Sequence, residues 1–126
     1  MSLSEYFTEI VKLIEKYAHS GLIVGSDFNN DYRTEKSGVI KGNLLFNDGS
    51  KLYFTEYIDT RYGVEKLTYS YHYQNKRGKL IFRYDNARHQ PLLSFKSHKH
   101  LSDETIINSD PPELRFVLDE ILRFIL

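Results

Sequence analysis

The chain has 126 residues with 40% hydrophobic, 14% aromatic and 27% charged side chains, and its 17 basic residues balance its 17 acidic ones. This composition is typical of a folded protein, predicts a single domain over residues 1–126, and gives no global charge signal for nucleic-acid binding. The absence of cysteine excludes a thiol nucleophile and a Cys-ligated zinc site, and the lack of an apolar span or signal-peptide pattern predicts a cytoplasmic protein with no membrane partner.

Both ends of the chain have the residue spacing of amphipathic helices. Near the amino terminus, Ser2 and Glu5 have the spacing of a capping box. The apolar stripe of this helix consists of Leu3, Tyr6, Phe7, Ile10, Ile14, Tyr17 and Ala18. At the other end, Asp110 is a candidate N-cap and Pro111 suits the first helical position. The apolar stripe that follows consists of Leu114, Val117, Leu118, Ile121, Leu122 and Ile125.

Apolar runs between the helices predict β-strands, namely GLIVGSDF, GVIKGNLLF, KLYFTEYI, VEKLTYSYHYQ and KLIFRYD. An Asp48-Gly49 pair separates the second and third runs and is a strong hairpin signal. LLSFKSH predicts a further strand, with Pro91 at its start or on a sheet edge. We therefore predict an α+β fold in which a curved antiparallel meander of five to six strands packs against an N-terminal and a C-terminal helix.

Side chains alternate between the two faces of a strand, and this alternation assigns the faces of the predicted sheet. One face of the third strand carries Leu52, Phe54 and Ile58, with Glu56 among them. One face of the fourth strand carries Leu67, Tyr69, Tyr71 and Tyr73. A glutamate and a row of tyrosines in these positions predict either a partly polar concavity or a bulged strand.

Histidine and positive charge are concentrated between residues 83 and 100. This stretch holds three of the five histidines and four Lys/Arg against one Asp, whereas residues 101–126 hold two Arg against six Asp/Glu. The basic stretch predicts a site for a phosphate-bearing partner. The alternative is that the two oppositely charged segments only neutralise each other.

His98 and His100 are two residues apart, so on an extended segment they point to the same side and Lys99 points away. Such a pair can act in acid–base catalysis or contact a phosphate, because imidazole titrates near neutral pH. With His89 as a third ligand, the pair can also bind a metal. The simplest alternative is a pair of structural or exposed histidines at a strand end.

Arg83 and Asp85 end the fifth predicted strand. Arg83 can hold a phosphate through two parallel hydrogen bonds, and Asp85 can orient a histidine. The alternative is a structural ion pair of Arg83 with Asp85 or Glu56. The rings of Tyr71 and Tyr73 can stack on unpaired bases, although a tyrosine row is more typical of packing within a sheet.

The sequence has no Gly-rich phosphate loop, nucleophile elbow or paired-carboxylate signature. We therefore expect no nucleotide-dependent phosphoryl transfer and no cofactor.

The order of these segments resembles the TumE family of prokaryotic toxin–antitoxin proteins. The resemblance rests on FRYDNARH, on the histidines of SHKH, and on the Asp-Gly-Ser turn before the strand that carries Glu56. It spans the chain from the FNDGSKLYFTEYI hairpin to the final helix. It implies a small toxin that pairs with a helix-turn-helix antitoxin encoded beside it.

This chain departs from the usual TumE pattern at three positions. Arg88 stands where the family usually has a proline, and Gln90 and Ser97 stand where it has further histidines. His89, together with the two histidines of SHKH, matches the pattern. The thinner histidine cluster leaves reduced or lost activity as an alternative.

The leading hypothesis is a toxin-like protein that binds RNA and cleaves it without a metal. Such cleavage needs a base, an acid and a cation. The candidate catalytic residues are His98 and His100 for proton transfer, Arg83 for charge, Asp85 for orientation and His89 as a spare. The candidate binding residues are Lys99, Arg88, Tyr71, Tyr73 and Glu56.

Two other functions are compatible with the sequence. A non-enzymatic protein- or RNA-binding module would meet a basic antitoxin through the acidic face of the second helix. A metal-dependent enzyme would use His89, His98 and His100 as ligands. A homodimer is also compatible with the sequence.

Overall fold

A computed structural model describes residues 1–87 and 95–126 of the chain. Within these ranges the elements are α1 (Leu3–His19), β1 (Ile23–Tyr32), β2 (Ser37–Phe46), β3 (Lys51–Asp59), β4 (Glu65–Gln74), β5 (Leu80–Asp85), β6 (His98–Leu101), β7 (Ile106–Asn108) and α2 (Leu114–Ile125). Each strand pairs antiparallel with the next, so the sheet order is the chain order. The predicted α+β meander with terminal helices is confirmed, and it has seven described strands instead of five to six.

Helix α1 begins where the sequence predicts. The Ser2 hydroxyl accepts a hydrogen bond from the Glu5 backbone, and the Glu5 carboxylate accepts one from the Ser2 N–H, both at 3.1 Å. These two bonds complete the capping box. The buried residues of α1 are Leu3, Phe7, Ile10 and Ile14. Ala18, which the spacing assigns to the same stripe, is exposed in the last turn.

Helix α2 begins later than the sequence predicts. Its N-cap is Glu113, so the assignment of Asp110 as N-cap and Pro111 as the first helical residue is wrong. Pro112 explains the delay, because a proline disfavours helical backbone at the residue before it. The Pro112 carbonyl instead accepts a hydrogen bond from Lys66 Nζ at 2.8 Å, which ties this segment to the sheet.

The turn between β2 and β3 forms at the predicted Asp48-Gly49 pair. Gly49 has a φ of 87°, a left-handed conformation that glycine adopts without steric cost. The Asp48 carboxylate accepts a hydrogen bond from the Ser50 N–H at 3.0 Å. Both strands end within one residue of the predicted runs.

The predicted strand LLSFKSH is placed too early in the chain, because only its last residue, His98, lies in a described strand. Strand β6 starts at His98, so residues 95–97 precede it, and residues 92–94 lie outside the described ranges. The sequence also missed β7, because three residues are too few to show a period-two pattern.

The helices cover one face of the sheet, which we call the inner face, and the opposite side is the outer face. The inner core contains Ile40, Leu44, Leu52, Phe54, Ile58, Tyr69, Tyr71, Tyr73, Phe82 and Tyr84 from the sheet and the buried stripes of both helices. No helix among the described residues is long and apolar enough to cross a membrane.

A β-bulge at Leu67 reverses the side on which Lys66 lies. Strand β3 pairs Tyr57 with Thr68 and then Ile58 with Lys66, which leaves Leu67 as an extra residue on β4. Leu67 is therefore exposed, and its predicted grouping with the buried tyrosines is wrong. Of the two predicted alternatives, the bulged strand is confirmed.

Candidate functional site

Three neighbouring strands place four of the five candidate catalytic residues side by side on the outer face. In the register of β4, β5 and β6, Arg83 lies opposite His72 on one side and His100 on the other. Asp85 lies opposite His98 in the next row. We call these five residues the outer cluster. The sequence nominated four of them, and the structure adds His72.

The Asp85 carboxylate is the centre of the outer cluster, and Asp85 is 3% exposed. Its Oδ1 lies 2.6 Å from His98 Nε2 and accepts a hydrogen bond from the Ala87 N–H at 3.1 Å. Its Oδ2 lies 2.6 Å from Arg83 Nε and 3.5 Å from His100 Nε2. A buried carboxylate needs such partners in place of water, and these partners fix its orientation.

His98 is held in place on two sides of its ring. Its side chain has no exposed surface, and its Nδ1 lies 3.1 Å from the Lys96 carbonyl oxygen while its Nε2 faces Asp85. A buried ring with these contacts orients the carboxylate beside it. It does not meet a solvent-borne substrate in this conformation.

Among the described side chains that contact the Asp85 carboxylate, those of His100 and Arg83 reach solvent. Their side chains are 21% and 37% exposed. The His100 ring also packs at an edge-to-face angle on the His98 ring, with centroids 5.0 Å apart. These two side chains can therefore contact a phosphate while the buried residues hold them.

His72 lies on the other side of Arg83. Its Nδ1 is 3.4 Å from an Nη atom of Arg83, and its Nε2 is 3.2 Å from Oε1 of Gln74. Burial lowers the pKa of His72, the charge of Arg83 lowers it further, and the hydrogen bond with Gln74 opposes both effects. Next to the turn at residues 75–78 the register of β4 on β5 shifts by one residue, between the pairs Gln74–Leu80 and Tyr73–Phe82. Sequence reasoning missed His72 because no local signal marks this shift, and only the shift places His72 opposite Arg83.

Asp85, His98 and His100 also form a candidate metal-ligand set. One ligand atom from each lies within 4.8 Å of the others. Two histidines and a carboxylate suit several divalent transition metals. The Arg83 guanidinium, bound to the same carboxylate, opposes an added cation by charge repulsion. His89, the third ligand favoured by the sequence, lies outside the described residues, as does Arg88.

Four of the predicted binding residues lie on the inner face, and three of them are Lys99, Tyr71 and Tyr73. Lys99 Nζ lies 2.7 Å from the Glu120 carboxylate of α2 and 4.7 Å from the centre of the Tyr84 ring. Tyr71 and Tyr73 have no exposed surface. In this structure these side chains pack within the fold and do not face the outer cluster.

Glu56, the remaining predicted binding residue, is fully buried on the inner face. It accepts hydrogen bonds from the hydroxyls of Tyr6 and Tyr71, the latter at 2.5 Å. Lys66 Nζ lies 3.6 Å from the same carboxylate. We call these four residues the inner cluster. Sequence reasoning missed Lys66 because only the bulge turns it inward, and missed Tyr6 because its contact depends on how α1 crosses the sheet.

Burial shifts the pKa of three residues in the inner cluster. Burial raises the pKa of both the Tyr6 and the Tyr71 hydroxyl, and the charge of Glu56 raises them further. Burial lowers the pKa of Lys66, while Glu56 opposes the change. The two phenols therefore stay protonated at neutral pH. A cavity of about 690 Å³ lies beside Tyr6 and Lys66.

A family model described as Toxin TumE matches residues 10–126 of the chain. The chain belongs to the Toxin TumE family. Searches of curated proteins and of solved structures found no match. Membership of the TumE family indicates a toxin-like function and implies an antitoxin partner. The TumE match includes all five residues of the outer cluster.

Proposed function

We propose that this chain is the toxin of a toxin–antitoxin pair and that it cleaves RNA in the cytoplasm, without a metal ion, through the outer cluster. The observation that carries the proposal is the position of Asp85, which holds the solvent-accessible His100 and Arg83 within 3.5 Å of one buried carboxylate. A helix-turn-helix protein encoded beside it is the proposed antitoxin.

Cleavage by attack of the 2′-hydroxyl on the adjacent phosphate needs proton transfer and a cation for the negative charge of the phosphorane. Arg83 is the proposed cation, because its Nε binds Asp85 and the rest of its guanidinium can bind phosphate oxygens. His100 is the proposed proton-transfer group, because its ring is exposed beside Arg83.

Asp85 and His98 have positioning roles in this proposal. Asp85 orients the two exposed side chains, and the buried His98 holds Asp85 from the opposite side. The sequence spacing favours His98 for proton transfer. Because its ring has no exposed surface, we assign it a positioning role instead. His89 and Arg88 remain candidates on sequence grounds.

Growth arrest after induced expression tests the assignment. We expect arrest by the wild type and its loss in His100→Ala and Arg83→Ala. His19→Ala removes an exposed histidine on α1 as a control. Arg61→Ala is a matched control because Arg61 pairs with Asp59 two residues away, as Arg83 pairs with Asp85. Undiminished arrest by a folded His100→Ala variant would overturn the proposal.

Purified protein and RNA test the chemistry directly. In the presence of EDTA, we expect products with 2′,3′-cyclic phosphate and 5′-hydroxyl ends, since no external nucleophile takes part. RNA that is bound but never cleaved contradicts catalysis and supports a binding module.

The second candidate function is that of a metal-dependent enzyme, which the proximity of Asp85, His98 and His100 favours. Elemental analysis of protein purified without a His tag tests it. About one equivalent of a transition metal, with activity lost in EDTA and restored by that metal, supports this function. Full cleavage in EDTA rejects it.

A further inference from the structure

The outer face carries a row of four polar or aromatic side chains on four consecutive strands. Tyr53 on β3 lies opposite His72, His72 lies opposite Arg83, and Arg83 lies opposite His100. Side chains opposite each other in adjacent strands share a face and lie close enough to interact. The row therefore has a guanidinium between two imidazoles and an aromatic ring at one end.

The contacts of His72 determine where its proton lies. A guanidinium nitrogen can only donate hydrogen bonds, so Nδ1 of His72 accepts one from the Arg83 Nη atom 3.4 Å away. Nε2 then carries the hydrogen and donates it to Oε1 of Gln74 at 3.2 Å. His72 is thus a neutral imidazole with a basic lone pair on the atom nearest to Arg83. The lowered pKa of His72 agrees with this protonation state.

His100 lies on the other side of Arg83, and its Nε2 is 3.5 Å from the Asp85 carboxylate. The two histidines are on strands separated by β5, so their backbones are roughly 10 Å apart. A phosphate bound to Arg83 would therefore have one imidazole on each side.

We propose, on the basis of the proposed RNA cleavage, that His72 is the general base of the reaction and that Tyr53 stacks on an unpaired base of the RNA. The Arg83 Nη atom turns from His72 Nδ1 to a phosphate oxygen, and the freed Nδ1 takes the proton of the 2′-hydroxyl as the 2′-oxygen bonds to phosphorus. The bond from phosphorus to the 5′-oxygen breaks, and His100 protonates that oxygen. The products are a 2′,3′-cyclic phosphate and a 5′-hydroxyl, and both histidines return to their initial states by proton exchange with water.

Tyr53 is suited to a nucleobase. It is 42% exposed on the outer face, and its ring lies 6.2 Å from the His72 ring at an interplanar angle of 64°. A base stacked there would place its nucleotide next to the histidine. Because only an unpaired base can stack in this way, the substrate class is single-stranded RNA. Tyr71 and Tyr73, which the sequence favours for stacking, are buried.

Steady-state cleavage of a short single-stranded RNA by the full chain tests both roles. We expect His72→Ala to lower kcat by roughly 10² to 10⁴-fold with little change in KM. We expect Tyr53→Ala to raise KM roughly tenfold to a hundredfold and Tyr53→Phe to restore it. His19→Ala and Tyr62→Ala, which remove an exposed histidine and a 94% exposed tyrosine, serve as controls.

A substrate with sulfur in place of the bridging 5′-oxygen separates the base from the acid. A thiolate leaves without protonation, so this substrate should restore cleavage by His100→Ala but not by His72→Ala. Restoration in His72→Ala alone would reverse the roles and overturn the assignment.

The outcomes distinguish this inference from the proposed function. If the wild type cleaves RNA, His100→Ala does not, and a folded His72→Ala cleaves as the wild type does, then the role of His72 is wrong and the proposed function stands. If the wild type cleaves no RNA, both are overturned. If it cleaves only duplex RNA, the proposed function stands and the single-stranded substrate class is wrong. Duplex RNA cleaved as fast as single-stranded RNA contradicts the role of Tyr53.

Discussion

Each face of the sheet has a buried carboxylate, and the two differ in what surrounds them. Glu56 on the inner face is fully buried and is bound by two tyrosine hydroxyls and a lysine beneath the helices. Asp85 on the outer face is almost as buried, yet it is bound to one arginine and one histidine that reach solvent. A buried charge alone therefore does not mark a functional site.

The partners of the two carboxylates also differ in chemistry. Burial raises the pKa of the Tyr6 and Tyr71 hydroxyls, so the inner cluster exchanges no proton through them near neutral pH. Asp85 in the outer cluster instead has two imidazoles and a guanidinium as partners, and two of these side chains reach solvent. We infer that the inner cluster stabilises the fold and that the outer cluster carries the activity.

The largest effect is expected from Glu56→Ala. Removal of this carboxylate leaves Lys66 buried without its counter-ion, which should lower the free energy of unfolding by about 3–5 kcal/mol. Denaturant unfolding followed by circular dichroism measures the change. A loss below about 1 kcal/mol would show that water reaches Lys66 and that the inner cluster does not stabilise the fold.

A double variant provides the control for Glu56→Ala. Glu56→Leu combined with Lys66→Met removes both charges and should be more stable than Glu56→Ala, because no unpaired charge stays in the core. A double variant that unfolds as easily as Glu56→Ala would point to lost packing.

The next largest effect is expected from Asp85→Asn. Asparagine keeps the shape of the side chain but loses the charge that orients His100 and Arg83, so RNA cleavage should fall roughly 10- to 100-fold. The stability loss should be smaller than in Glu56→Ala, because the exposed partners regain contact with water. Asp59→Asn, which removes the carboxylate paired with Arg61, is the matched control and should cleave normally. Equal rates for the two variants would contradict a role for Asp85.

A smaller effect is expected from Lys99→Met. This change breaks the ion pair with Glu120 at 2.7 Å and should cost about 1–2 kcal/mol of stability, between the values for exposed and for buried pairs. Growth arrest should persist, because Lys99 points to the inner face. If a stable Lys99→Met protein loses growth arrest, the positive charge of Lys99 contributes to activity after all.

The smallest effect is the contribution of His72 to stability at acidic pH. The folded pKa of His72 is below its unfolded value of 6.5, mainly because of burial and then because of Arg83, while Tyr53 faces it from β3 without charge. The folded state then binds fewer protons, so this contribution is complete above about pH 6.5 and is lost as the pH falls through the folded value. Between pH 7 and 5 the wild type should lose more stability than His72→Gln. Parallel stability curves for the two proteins would contradict the direction of this shift.

Local signals were sufficient to predict most of the fold. The capping box at Ser2 and the Asp48-Gly49 turn each fix backbone through contacts within a few residues, so both were recognisable in the sequence. The alternation on β3 correctly assigned Glu56 to the same face as the apolar residues. The start of α2 was misplaced because Pro112 outweighed the capping signal at Asp110.

The candidate site was less predictable because it depends on contacts between distant strands. Period two correctly separates His98 and His100 from Lys99, but it does not indicate that one histidine is buried and the other exposed. The position of His72 beside Arg83 follows only from the register of β4 on β5. Lys66 joins Glu56 only because one extra residue bulges β4.

The sheet order has a consequence for synthesis of the chain. Every strand pairs with the one made just before it, so the sheet can grow strand by strand from its amino-terminal end. The last strands to be added bring His98 and His100 to Arg83. A ribosome that stalls before residue 98 therefore releases a product with a partial sheet and without either histidine. The outer cluster is therefore complete only after β6 has been synthesised.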